Sequence, residues 1–467
     1  MALRVWVGSF VTLSLLVLST TALPAAENQS DEHIQRILKL IGDKDRDFRA
    51  AGLEQVRSSA RGPELTRVFS GELSKLDSEG QIALLDALAD RGDVAARPAV
   101  LERISASHDA AVRAAAIGAL GRLGEADDLP LLIKTATEGG KLERVAARDA
   151  LTQFSGESVN KSLATALQSA RPKAKEALIE VLATRRASDQ LPALLAATVD
   201  KAAGVRRAAM NALGQIGRSD EIVQMLPGVL KAQKGGERDE AEKNVALVCE
   251  RIENEDQRGT ALIEALNTVE AAQRDQLLSL LGRVGGKKLL HFVAGIATGP
   301  DAARRELAID ALSKWPDASV ADKLLEIVSH ATDPAQRAEA FRGYVKVSAA
   351  RDRRSDKERF TRLKDAMKEA KTPEEISLVI NRLRTAYAVE SVEFLLPYLD
   401  QPQFAQGACQ TIVEIAHHRE VRDPHKAEFD KALDKVIATS KDPVVVERAN
   451  RYKRGETWER RSRNRRL

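Results

Sequence analysis

Three histidines, His417, His418 and His425, stand with Glu420 and Asp423 inside the stretch HHREVRDPHKAEF. They form the one local histidine cluster of the chain, and imidazole nitrogens with a carboxylate can hold zinc or a related metal. On a helix, adjacent side chains point about 100° apart, and Pro424 interrupts the path to His425. The spacing therefore makes these three weak metal candidates and an exposed polar turn the simpler expectation. Cys249 and Cys409 lie 160 residues apart and read as two small core residues. No CxxC, no Ser-His-Asp order and no phosphate-cradling glycine loop is visible. The chain thus presents no catalytic residues and no cofactor-binding residues.

Its arginines are more suggestive. Arg113, Arg144, Arg206, Arg304 and Arg337 recur at one early helix position, either as a cationic ladder for an acidic partner or as internal ties. The tie reading pairs each with acidic groups or helix-end carbonyls of the preceding segment. Arg353 and Arg354 lie in a charged run, AARDRRSDKERF, expected to be an inserted loop, and HHREVRDPHKAEF reads as a second long connection. The last eight residues hold five arginines, Arg460, Arg461, Arg463, Arg465 and Arg466, and no acid. Such a tail can hold an anionic membrane surface, a polysaccharide or an acidic protein. Arg353, Arg354 and the tail arginines are the interaction candidates.

The elements that position these groups follow from composition and period. The chain has 467 residues, 43% hydrophobic and 30% charged but only 4% aromatic. That balance points to helices with an aliphatic core. With 72 basic against 68 acidic residues, no global charge marks it for nucleic acid, and scarce aromatics argue against single-strand stacking. The segment VRAAAIGALGRLG (Val112 to Gly124) returns as VRRAAMNALGQIG (Val205 to Gly217) with eight of thirteen positions identical. Landmark residues Leu88, Leu120, Leu151, Leu182, Leu213, Cys249, Leu281 and Leu312 follow gaps of 31 or 32, with a single 36. Less regular echoes sit near Val345, Leu383 and Ile412, and residues 45–77 read as a degenerate first unit.

Each unit divides into two helices. Val112, Ala116, Ala119, Leu120 and Leu123 share one face of the first, which Gly121 loosens and Gly124 stops. Leu129, Leu132, Ile133 and Ala136 mark the second. Asp333-Pro334, Thr372-Pro373 and Asp442-Pro443 announce helix starts, and Thr372 with Glu375 spells a capping box. One such pair cannot bury its own apolar faces, so pairs must stack. The pattern "VR..A..ALG.hG", a polar turn, then "..L.L.hA", at a period near 31, resembles the short HEAT repeat, also called the phycobilisome-lyase-type HEAT-like repeat. The resemblance runs over roughly 45–450, is clearest over 79–330, and implies an all-α fold, an α-α superhelix of about eleven to twelve helix pairs. A HEAT-like hydroxylase of deoxyhypusine holds two irons with His-Glu pairs. None of the seven histidines here precedes Glu, so the resemblance does not extend to that activity.

Residues 1–26 have the layout of a secretory signal peptide: Arg4, an apolar run from Val5 to Leu18, then small residues at Ala22, Ala25 and Ala26. The run is shorter than the roughly 20 residues that span a bilayer. The expected organisation is signal peptide 1–26, repeat array 27–455 and basic tail 456–467. The expected function is a non-catalytic protein-interaction scaffold, without cofactor, exported to the periplasm, cell envelope or outside as a bacterial member of its family. The partner protein is unspecified, and neither nucleic acid nor a membrane span of the mature chain is expected. The alternatives are an accessory subunit of an envelope enzyme or transport complex, or a binder of anionic surfaces through the tail.

Overall fold

The computed structural model describes residues 24–59, 62–156 and 158–457. Among these residues there are helices and turns but no strand. None of the described helices is long and apolar enough to cross a membrane. The chain divides into two compact units, Met1–Ala170 and Arg171–Leu467.

The first unit opens with helix Pro24–Ile41, which runs across the expected boundary at residue 26. Four helix pairs follow: Arg46–Ser58 with Pro63–Ser70, Ser78–Arg91 with Arg97–Ala106, Ala110–Leu123 with Leu129–Glu138, and Lys141–Gln153 with Ser158–Ser169. The second unit holds eight pairs. They begin with Pro172–Thr184 and Leu191–Ala197, then Ala203–Ile216 and Ile222–Lys231, then Gly236–Cys249 and Glu255–Asn267. Leu278–Val284 with Lys287–Ala297 and Ala302–Ser313 with Ala321–His330 come next. Pro334–Ser348 with Asp356–Glu369, Pro373–Arg382 with Val389–Leu395, and Ala405–Ala416 with Lys426–Thr439 complete the series, before a single closing helix, Pro443–Lys453. The described residues thus hold twelve pairs, in line with the repeat count.

Within each unit, successive first helices pack on one another, and many second helices pack chiefly against the first helix of the following pair, as Arg97–Ala106 does on Ala110–Leu123 and Ala321–His330 on Pro334–Ser348. Period and burial agree residue by residue. All eight landmark residues from Leu88 to Leu312 are 0% exposed, and so are Val345, Leu383 and Ile412. Burying one such leucine contributes about 2 kcal/mol, and the pattern repeats it in every pair.

Helix starts are set by side chains. Asp45, Asp77, Asp109, Asp301, Asp333 and Asp442 each accept a backbone N–H of the first turn, a contact that contributes about 1 kcal/mol. Thr372 likewise accepts from the Glu375 N–H. The Glu375 carboxylate, however, turns to the Lys371 N–H and to Arg337, so the expected capping box at Thr372 is only half made. Gly121 also has a different role from the one its position suggests. A Cβ there would stand 2.7 Å from Ala150 Cα of the next first helix. It is a point of close backbone approach and does not loosen its helix. Gly285 and Gly286, with φ of 71° and 103°, do turn the chain between the helices of their pair.

Candidate functional site

The arginine ladder is an internal tie. Arg113 donates through Nη1 to the Ser107 carbonyl at 2.9 Å and through Nε to Glu143 at 2.6 Å. Arg206 does the same with the Asp200 and Lys201 carbonyls, at 2.8 and 2.9 Å, and with both Glu237 oxygens. Arg144 reaches Gly139, and Arg337 reaches Glu375 and the Glu369 carbonyl. The Arg113 guanidinium holds the Glu143 carboxyl below the usual range. Two corrections follow. The carbonyls belong to the turn after the preceding second helix for Arg113 and Arg206, but their carboxylates come from the following first helix. In helix Ala302–Ser313 the ladder position is Arg305, which donates to Gly299 and Pro300, whereas Arg304 makes an exposed pair with Asp275.

The charged run at 349–360 is not a loop throughout. Ser355 and Glu358 form a full capping box, and the chain is helical from Asp356. Arg354, expected as an exposed contact, is largely buried instead. Its Nε donates to both Asp352 oxygens at 2.9 Å, and Nη2 donates to the Val347 and Ser348 carbonyls that end the preceding helix. A guanidinium that closes a helix end in this way is unavailable to a partner. Arg353 is exposed.

The segment after Ala416 is also more ordered than a connection. A short helix, Arg419–Arg422, and a tight turn, Asp423–His425, lead into helix Lys426–Thr439. His417 Nδ1 lies 3.0 Å from the buried Tyr452 hydroxyl. His418 stacks on Tyr387 at 3.7 Å and places Nδ1 3.1 Å from Glu420. His425 is exposed. Each of the first two imidazoles has a partner of its own, and among the described residues no three His, Cys, Asp or Glu side chains come together as a group that could hold a metal ion. Arg460, Arg461, Arg463, Arg465 and Arg466 lie outside the described residues. Cys249 and Cys409 are buried free thiols.

An open concavity lies elsewhere. In the second unit an open groove of about 630 Å³ runs between helix Ile222–Lys231 and the end of helix Glu255–Asn267. Val199, Val223, Pro227 and Leu230 line it, with Lys231 and Glu270 among the polar groups. Val199 and Val223 are 45% and 41% exposed. Neither Lys231 nor Glu270 has an ion-pair partner among the described residues. Pro227 sits inside its helix, where its ring adds apolar surface to the wall. None of these residues stands out from sequence alone. The available signal was solvent-facing valine at the ends of consecutive second helices.

A model of HEAT repeats matches residues 68–152 and 160–246. No curated protein matches the chain. Among solved structures, the karyopherin Kap121p bound to the extreme C-terminus of the protein phosphatase Cdc14p is similar over 88% of this chain and 54% of its own, at 12% identity and a TM-score of 0.47. Kap121p bound to Pho4p is similar over 91% and 53%, also at 12% identity and 0.47. The chain therefore spans about half the length of these karyopherins, and a likeness this distant carries no functional information. With its stacked helix pairs, the chain carries HEAT repeats over these two matched segments.

Proposed function

We propose that this chain is a non-catalytic scaffold, exported to the cell envelope, that binds a segment of a partner protein along its second helices. The groove at Val199, Val223, Pro227 and Leu230 carries the binding part of this reading. It combines exposed apolar side chains with two unpaired charges, the makings of a pocket with a polar rim. Arg113, Arg206, Arg337 and Arg354 are tied into the stack by their own carbonyl and carboxylate partners. Export rests on the apolar run Val5 to Leu18 behind Arg4, with small residues after it.

The test is purification of the tagged chain from its native cells, with the mature N-terminus read by mass spectrometry. Processing near residue 26, with one stoichiometric partner kept by the wild type and lost from Val223→Asp, is the expected result. An N-terminus at Met1 overturns export, and a partner retained by Val223→Asp overturns the groove.

A further inference from the structure

Four stretches end consecutive first helices at the C-terminal end of the second unit: 349–355, 383–388, 417–425 and 454–457. Ring contacts join them. The Arg351 guanidinium lies 5.0 Å over Tyr387, and Tyr387 stacks on His418 at 3.7 Å. His418 meets His417 at 5.7 Å, and His417 meets Tyr452 at 5.9 Å. The segments that break the repeat, 350–355 and 417–425, are thereby brought onto one edge with the point where the chain leaves its last helix. All four tyrosines of the sequence lie between 344 and 452, so this end is chemically unlike the rest.

Its charge differs too. These four stretches hold seven basic and four acidic residues, whereas the five corresponding turns before them in the same unit (185–190, 217–221, 250–254, 285–286 and 314–320) hold five and six. Every acid on the edge is already matched: Asp352 by Arg354, Glu420 by His418, Asp423 by Arg419 and Arg422, and Glu456 by Arg454. Arg353 and Arg384 are exposed and have no ion-pair partner among the described residues. The nearby Glu414 already takes Arg448 at 2.6 Å. Arg351, exposed and lying over Tyr387, has no ion-pair partner among the described residues either.

We propose that this edge binds an acidic stretch of a partner polypeptide, with Arg351, Arg353 and Arg384 as the receiving groups. Guanidinium groups meet carboxylates with two parallel hydrogen bonds. A nucleic acid fits worse, because the ring faces that would stack bases are taken: Tyr387 by Arg351 and His418, and Tyr452 by burial. Glu414, Glu420 and Asp423 also interrupt the cations, which opposes an evenly charged polymer. A polypeptide can set its carboxylates opposite the arginines alone. The edge is separate from the groove, and its failure leaves the groove reading standing.

The test uses the full chain and a fluorescein-labelled peptide of alternating glutamate and glycine, read by fluorescence anisotropy. Binding should weaken as salt rises, and Arg353→Glu with Arg384→Glu should weaken it by about tenfold or more. Reversal of the remote exposed lysines, Lys243→Glu with Lys364→Glu, should leave it unchanged. Changing the five tail arginines to serine should preserve the tenfold difference between edge variant and parent. The proposal is overturned by an edge variant that binds like the parent, or by a tail variant in which the difference vanishes. It is overturned equally by an oligonucleotide that binds as tightly as the peptide and responds to the same reversal.

Discussion

Arg206 and Glu237, 31 residues apart, face each other across two neighbouring first helices with both guanidinium-to-carboxylate bonds made, at 2.8 and 3.0 Å. Their side chains are only 5% and 8% exposed. The sequence repeat and the ion pair therefore share one period, and the arginine ladder belongs to the stacking of the array. Removing Arg206 strands a buried carboxylate, so Arg206→Ala should cost about 3–5 kcal/mol. Arg207→Ala removes a pair that is about half exposed, Arg207 with Glu240, and should cost about 1 kcal/mol or less. Repeat arrays can unfold in parts, so hydrogen exchange of helices Ala203–Ile216 and Gly236–Cys249 is the suitable readout.

Two glycines three residues apart should respond in opposite directions. A Cβ at Gly121 would meet Ala150 Cα at 2.7 Å, whereas one at Gly118 meets nothing within 4 Å. Gly121→Ala should destabilise by about 1–3 kcal/mol through overpacking. Gly118→Ala should stabilise by about 1 kcal/mol through helix propensity. Thermal unfolding of the two variants beside the parent reads both signs.

Both thiols should be silent in the folded protein. Burial pushes Cys249 up to about 12 and Cys409 up to about 11, so neither is a thiolate at neutral or mildly alkaline pH. Titration with a disulfide reagent at pH 8 should report no reactive thiol before denaturant and two after it. A thiol reacting promptly in the native protein would place that residue at the surface.

The closing helix should loosen in acid. The Arg448 side chain hydrogen bonds to Glu414 and holds its carboxyl below the usual glutamate range. A depressed folded-state value stabilises the docked helix above the unfolded value and loses that contribution as pH falls through the folded value. Hydrogen exchange of Pro443–Lys453 should therefore accelerate below the ordinary glutamate range. In Glu414→Gln that part of the acid response should disappear.

Much of the fold is readable from Leu88, Leu120, Leu151 and their successors, because a residue that must be buried in every stacked pair cannot drift in sequence. The ladder register was misread at Arg304, and counting four residues from the capping Asp301 would have given Arg305. The run 349–360 was misread as a loop since its charges hide a helix start. Yet Ser355 and Glu358 carry the capping signature in plain order. The groove and the edge were not legible for a different reason. Val199 and the Val223–Leu230 helix, or Arg351, Tyr387 and His418, come from separate helix pairs, and only stacking brings them together.

The central claim is that the second-helix groove receives a partner segment, and site-directed photocrosslinking tests it most directly. A crosslinking residue at Val223 should capture one discrete protein, and adding Val199→Asp to that chain should abolish the product. A crosslinker at Leu247, exposed on a first helix, should capture none of it. Equal capture from both positions, or a product at Val223 that survives Val199→Asp, would contradict the account.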